Sequence, residues 1–365
     1  MSSASRRARP ARRGAILAGI VLLACVIDLL GQRPGGYRPY EASQAQLAEG
    51  DAYLAVNLAP LPDGWTWARR AVPGGYVRTG EAGVPGAPTV LFVPGFTGTA
   101  EQYADYYAAW RARGWRVVSL DLPGQGGSMR RPHVPGEWGN PELPWSDDFG
   151  AYADAIAPIL AEEAARGPLV VVGESFGGHV VLRALAEGAH ADAAVLVVPA
   201  LDAETNDVPR ALALGVAHTA KALGFGGAYA AGTGPWAPGA GLGDGKVGRC
   251  GDRMDRLGVQ AALYAREPSL RVSGPNWGWL AGLQASGARL AKPDAMASVT
   301  LPVLMVQSGQ DQVVRNERAA AACAAMSACM RMVWDDTSHC LGVEEQEIQD
   351  RLHGVIERAV AAATG

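Results

Sequence analysis

A serine set among glycines, where an apolar run gives way to a helical pattern, limits this chain more than any other feature. Leu169-Val170-Val171-Val172 has the length and β-branching of a buried strand, and Gly178-His179-Val180-Val181-Leu182-Arg183-Ala184-Leu185 reads as a helix. Between them stands Gly173-Glu174-Ser175-Phe176-Gly177. A strand, a tight turn centred on serine and a helix together make a nucleophile elbow. The turn forces the serine backbone into strain, so its neighbours must be small, and Gly173, Gly177 and Gly178 meet that need. Ser175 Oγ would then stand above the sheet. The Phe176 N–H would face the same space from a helix N-terminus, where backbone donors are unpaired. An incidental serine in a strand–turn–helix is the plainer reading, but it leaves the rest of the chain unexplained.

A serine hydroxyl is a poor nucleophile until an imidazole takes its proton and a carboxylate fixes that imidazole. Both partners follow in chain order. A strand at 302–308 breaks at Gly309-Gln310-Asp311-Gln312-Val313-Val314, which puts Asp311 just past a strand end. A helix and a short strand at 330–334 come next, and the loop after them holds His339. The rivals are weaker. His179 lies one helical turn beyond Ser175 but precedes every candidate acid, which suits a packing or hydrogen-bonding role. His353 falls in a terminal amphipathic helix and reads as a surface residue. Asp202 follows the strand at 194–198, a place where this arrangement can carry its acid, and Asp335 and Asp336 suit turn formation. Asp311 has the stronger context. A second backbone donor for an oxyanion should come from the loop after strand 89–93, Pro94-Gly95-Phe96-Thr97-Gly98-Thr99, and Phe96 N–H is the candidate.

With those residues in place the chain resembles the α/β-hydrolase-fold serine hydrolases grouped around bacterial lysophospholipases and monoacylglycerol lipases. The likeness rests on Val93-Pro94-Gly95-Phe96, Asp121-Leu122-Pro123-Gly124-Gln125-Gly126-Gly127-Ser128, the Gly173–Gly178 elbow, Gly309–Val314 and His339. It runs from about residue 40 to the C-terminus. Ser273-Gly274-Pro275-Asn276-Trp277-Gly278-Trp279-Leu280 is similar to the cap signature of the lysophospholipase-like branch. Many relatives carry His-Gly where this chain has Pro94-Gly95, a small departure because the donor is backbone. Glu174 replaces the histidine common before the nucleophile, which leaves the local charge open.

The implied architecture is α/β, a mostly parallel doubly wound sheet with a cap inserted between the sixth and seventh strands. Strands are expected at 65–72 and 76–80 as an antiparallel opening pair, then at 89–93, 115–120, 169–172, 194–198, 302–308 and 330–334 in parallel, with helices between. About a hundred residues separate the strands ending at 198 and starting at 302, too many for one crossover, so the cap should occupy about 200–300. Two tryptophans two positions apart on a helix point in different directions. One of Trp277 and Trp279 should therefore wall the substrate site and the other pack the cap onto the main domain, unless both fill the cap core.

Residues 1–13 are basic, with five arginines, and 14–27 carry no charge, the apolar run reaching 30 if Asp28 is tolerated. That pairing marks a signal anchor or signal peptide at 14–30. No Ala-x-Ala site follows, which favours an anchor. Leu22-Leu23-Ala24-Cys25 keeps a lipoprotein route open, although Val26-Ile27 is greasy for a mature lipoprotein start. The positive-inside rule leaves the basic end cytoplasmic and residues 51–365 outward, after a linker at 31–50. In that setting Cys323 and Cys329 could bridge or remain buried thiols, and Cys340 should line the site.

The formal charge of −4 gives no reason to invoke nucleic acid, and no metal-ligand cluster stands out. The reading is an ester hydrolase acting on lysophospholipid or monoacylglycerol-like substrates, with no cofactor. A serine peptidase, a short-chain ester or polyester hydrolase, and a non-catalytic binding member of the fold remain the alternatives, because a fold does not dictate its substrate.

Overall fold

The computed structural model describes residues 38–130, 140–205, 208–238, 250 and 254–365. The basic flank and the segment 14–30 lie outside them. No helix among the described residues is long and apolar enough to cross a membrane. The expected linker is helical in its last part, since helix α1 (Gln44–Asn57) begins ahead of the boundary placed at 51. Ser43 and Gln46 make a reciprocal capping box at its start, Ser43 N–H donating to Gln46 Oε1 at 2.9 Å.

Eight strands form one sheet: β1 (Thr66–Val72), β2 (Gly75–Ala82), β3 (Thr89–Val93), β4 (Arg116–Leu120), β5 (Leu169–Glu174), β6 (Ala193–Val197), β7 (Val303–Ser308) and β8 (Cys329–Trp334). Their order is β1-β2-β4-β3-β5-β6-β7-β8. β1–β2 and β2–β4 are antiparallel and the remaining pairs parallel. The central strands β3, β4, β5 and β6 are buried throughout, which is why they read as mainly apolar runs rather than alternating ones. From β3 the chain steps first to β4 on one side and later to β5 on the other. The crevice of a doubly wound sheet opens at such a reversal, and the loops leaving β3 and β5 meet there, Val93 being paired with Gly173.

Helices cover both faces. On one face α3 (Phe149–Ala164) and α4 (Phe176–Ala186) share an apolar core with α9 (Asn316–Ala325). The other face takes α2 (Ala104–Ala112) and the long α10 (Gln346–Thr364). His353, read from sequence as a surface residue, is buried on α10, where its Nδ1 accepts from Trp110 Nε1 at 3.1 Å. It lies on the apolar stripe of its helix rather than the solvent face.

The cap lies between β6 and β7, with helices α5 (Arg210–Ala222), α6 (Met254–Arg266), α7 (Trp277–Leu290) and α8 (Pro293–Met296). α1 packs against α6 through Leu54, Val259, Ala262 and Leu263. The approach is close: a Cβ on Gly258 would meet the Tyr53 hydroxyl at 2.3 Å. The N-terminal helix therefore belongs to the cap's surroundings rather than to a spacer.

Candidate active site

The turn after β5 is strained. Ser175 has φ 51° and ψ −115°, far from the region open to an ordinary residue. Its backbone is pinned by Ser175 N–H donating to Val197 O at 2.8 Å and by its own carbonyl accepting from His179 N and Ala200 N. The glycines are required by packing. A Cβ at Gly177 would sit 2.1 Å from Val93 O, and one at Gly173 would sit 2.8 Å from Gly177 O.

His339 Nδ1 lies 2.7 Å from Asp311 Oδ2, and its Nε2 lies 2.9 Å from Ser175 Oγ. With Nδ1–H donating to the carboxylate, Nε2 is left as the acceptor of the serine proton. Asp311 Oδ1 accepts from Val313 N at 2.8 Å and Val314 N at 2.9 Å, which fixes the carboxylate plane. Asp202 is elsewhere, paired with Arg210 at 2.6 Å and Arg318 at 3.6 Å. His179 bridges the elbow helix to the cap, with Nδ1 on Ala200 O and Nε2 on Ser286 Oγ, each at 2.8 Å. Burial pushes its pKa down to about 4. Burial likewise raises the Glu174 carboxyl above its ordinary range, while the Tyr103 hydroxyl and nearby His339 pull the other way.

Phe96 lies in the loop after β3, and Phe176 follows the serine and opens α4 with no side-chain cap on its end. Among the described residues neither amide donates to a protein acceptor, so both are free to meet a developing oxyanion. The loop that carries Phe96 is held by a residue that the sequence reading quoted but gave no role. Gln125 Nε2 donates to Gly95 O at 3.0 Å, and Gln125 Oε1 accepts from Thr97 N at 2.9 Å. Gly95 C=O and Phe96 N–H belong to one peptide plane and point opposite ways. Fixing the carbonyl therefore aims the amide. Gln260 and Tyr264 of α6 also reach this loop, and no local signal marks them.

A cavity of about 650 Å³ opens over Ser175 and His339. Its apolar lining includes Val56, Leu58, Trp236, Leu257, Val259 and Val313. Neither Trp277 nor Trp279 is among the lining residues, which corrects the expectation that one would wall the substrate. Trp277 fills the cap core with Ala217, Ala220, Ala228 and Ala281. Trp279 docks the cap on the elbow, its ring 4.5 Å from Phe96, 5.1 Å from Phe176 and 5.4 Å from Phe149. The walls come instead from α1, distant in sequence from the tryptophan motif, and from α6, the helix just before it.

Cys323 and Cys329 form a disulfide, with Cα atoms 5.3 Å apart. Cys340 lines the cavity, as expected, and is also bonded to Cys250 of the cap, with Cα atoms 4.6 Å apart.

A doubly wound sheet with a serine on a strained turn after β5, and an aspartate and a histidine beyond β7 and β8, is the arrangement of the α/β-hydrolase fold. The family model described as serine aminopeptidase, S33, matches residues 86–346, and the chain belongs to that family of hydrolases. No curated protein matches the sequence. Solved structures with this fold include a soluble variant of monoglyceride lipase from Saccharomyces cerevisiae, in complex with a substrate analog. It has a TM-score of 0.63 at 13% identity, covering 84% of this chain and 100% of that one. Monoacylglycerol lipase from Paleococcus ferrophilus gives 0.59 at 16%, covering 78% and 99%. A thermostable carboxyl esterase from Bacillus coagulans, in complex with glycerol, gives 0.59 at 15%, covering 83% and 100%.

Proposed function

We propose that the protein is a serine carboxylester hydrolase that cleaves monoacylglycerol or lysophospholipid-like esters through an acyl-enzyme on Ser175. The observation that carries the reading is the continuous Ser175–His339–Asp311 line, whose serine and histidine open into a cavity that joins an apolar side (Val56, Leu58, Leu257, Val259) to polar groups such as Glu204 and Gln260. His339 takes the Ser175 proton as Oγ attacks the ester carbonyl. The Phe96 and Phe176 amides hold the oxyanion, and His339 returns the proton to the leaving alcohol. Water then attacks the acyl carbonyl by the same route, restoring Ser175. Monoglyceride lipases and a carboxyl esterase among the similar structures support an ester substrate.

A second reading, release of an N-terminal residue from a peptide, is favoured by the description of the family. A panel of monoacylglycerols, lysophospholipids, p-nitrophenyl esters and aminoacyl amides separates the two. Turnover of glyceryl or lysophospholipid esters at least tenfold above the amides is expected, and the reverse order would overturn the ester assignment. Fluorophosphonate labelling of Ser175 tests the nucleophile itself.

The basic flank and apolar run at 1–30 support a membrane-tethered or exported enzyme with its catalytic domain outward. The two disulfides suit an oxidising compartment. Full-length protein should fractionate with membranes, and removal of residues 1–40 should release active enzyme. A soluble full-length chain with an intact N-terminus would contradict the tether.

A further inference from the structure

The loop between β3 and α2 turns at Thr97, whose φ is 65°. A β-branched residue rarely adopts that conformation, and its strain must be offset by surrounding contacts. Both ends of Thr97 are held. Its N–H donates to Gln125 of the main domain, as described above. Its carbonyl accepts from Gln260 Nε2 at 2.7 Å and from Tyr264 OH at 2.6 Å, and Gln260 Nε2 also reaches Thr97 Oγ1 at 3.0 Å. Gln260 and Tyr264 are four residues apart on α6, so one helix face presents both donors. The Tyr264 phenol is buried and its pKa raised, so it stays a protonated donor at any ordinary pH. One residue of the oxyanion loop is thus gripped from both sides, and one grip belongs to the cap.

We propose that Gln260 and Tyr264 are positioning residues that aim the Phe96 N–H at the oxyanion, so that the oxyanion hole is complete only while the cap helix is seated. The inference rests on the assignment of the Phe96 amide as an oxyanion donor. The physical route is short. Without the two donors the Thr97 carbonyl turns toward water, and Thr97 relaxes out of its left-handed conformation. Gln125 alone then holds the loop, through Gly95 O and Thr97 N–H, and the peptide that carries Phe96 N–H gains freedom to tilt away from the oxyanion. Lifting α6 to admit a substrate would switch the donor off, and reseating it over the bound acyl group would switch it on. Arg256, paired with Asp105 of α2 at 2.5 Å on the same cap helix, steadies the seated position.

The test uses Tyr264→Phe, Gln260→Ala and the double variant in otherwise intact protein. Turnover is measured with p-nitrophenyl acetate, alongside affinity for a trifluoromethyl ketone that forms a hemiketal on serine. Either donor alone can hold the carbonyl, so each single variant should lose about threefold in kcat. The double variant should approach the loss of one oxyanion donor, about 10²-fold. Ketone affinity should fall in parallel with kcat, while KM for the short ester changes little. An unchanged kcat and ketone affinity, with KM raised only for long-chain esters, would show that the pair merely shapes the cavity wall and would overturn the proposal. Tyr264→Phe removes a single oxygen. Should the double variant fail to fold, the proposal stands or falls on ketone affinity in that single variant. Wild-type protein that takes no fluorophosphonate label and hydrolyses no ester would refute the underlying assignment, a result distinct from either of these.

Discussion

Ser175, Asp311 and His339 leave the ends of β5, β7 and β8, and backbone bonds a few residues away fix each loop. Ser175 N–H holds Val197 O, Gly309 N–H holds Trp334 O at 2.8 Å, and Gln310 N–H holds Thr337 O at 3.1 Å. The facing wall is built otherwise. α6 joins the reacting centre through side chains, Gln260 and Tyr264 on Thr97 and Arg256 on Asp105, and Cys250 just ahead of it is bonded to Cys340. One half of the site is preorganised by the sheet, and the other is held by a few side-chain contacts and a disulfide, about which α6 can shift. That division suits a hydrolase that must admit an ester and then close over it.

The sharpest way to test the division is to disable the sheet-borne half. Ser175→Ala and His339→Ala should each lower kcat by roughly 10⁴–10⁶-fold with unchanged thermal unfolding, and the pair together should be little worse than either. Asp311→Asn should cost about 10⁴-fold, because the imidazole loses the partner that sets its tautomer. Steady-state kinetics on a p-nitrophenyl ester reads all of these. Retained turnover in Ser175→Ala would move the reaction away from the elbow.

The joint between the halves is aromatic. Trp279→Ala should destabilise the protein by about 3–5 kcal/mol in urea unfolding, since it empties the cluster against Phe96, Phe149 and Phe176. Trp277→Ala, confined to the cap core, should cost less and should leave the ratio of long- to short-chain hydrolysis unaltered. A selective loss on long esters in Trp277→Ala would restore it as an acyl wall.

His179 offers a third test, because it ties the elbow helix to the cap at Ser286. Its folded pKa of about 4 lies below the ordinary value of about 6.5, so the unfolded chain takes up the proton first. Its contribution is complete above about pH 6.5 and is lost as pH falls toward 4, amounting to about 3 kcal/mol. Urea midpoints across that range should fall in wild type and fall less in His179→Gln. Equal slopes would place the acid sensitivity elsewhere.

The smallest effect separates the disulfides. Replacing Cys323 and Cys329 by serine should cost about 2 kcal/mol, from the short loop they close, and spare kcat. Cys250→Ser should instead lower kcat, because its partner adjoins His339. Equal kinetic effects would erase the distinction between the halves.

The legible parts of the molecule share one property. The elbow, the Asp311 turn and the His339 loop each announce themselves within about six residues, because a strained turn or a strand end dictates its local residue types. β3, β5, β6 and β7 were legible because buried parallel strands are largely apolar runs. Ser43 and Gln46 spelled a capping box that would have ended the linker at Gln44. The tryptophans misled because an apolar pair on a helix has the same pattern whether it faces a ligand or a neighbouring element. Nothing local to Gln260 or Tyr264 shows that they meet Thr97, more than 160 residues away.

Sequence by itself settled the fold class, the cap's place between β6 and β7, and Ser175 and His339 as candidates for the reacting line. Those are consequences of periodicity, chain order and turn sterics, which act over short stretches. Tertiary structure decided which acid meets His339, which residues wall the cavity, that Cys340 pairs with Cys250, and that the oxyanion loop is gripped from the cap. Each of these depends on where a side chain from one element arrives relative to another. That distance is set by how the sheet twists and how the cap seats, and no short stretch of chain encodes it.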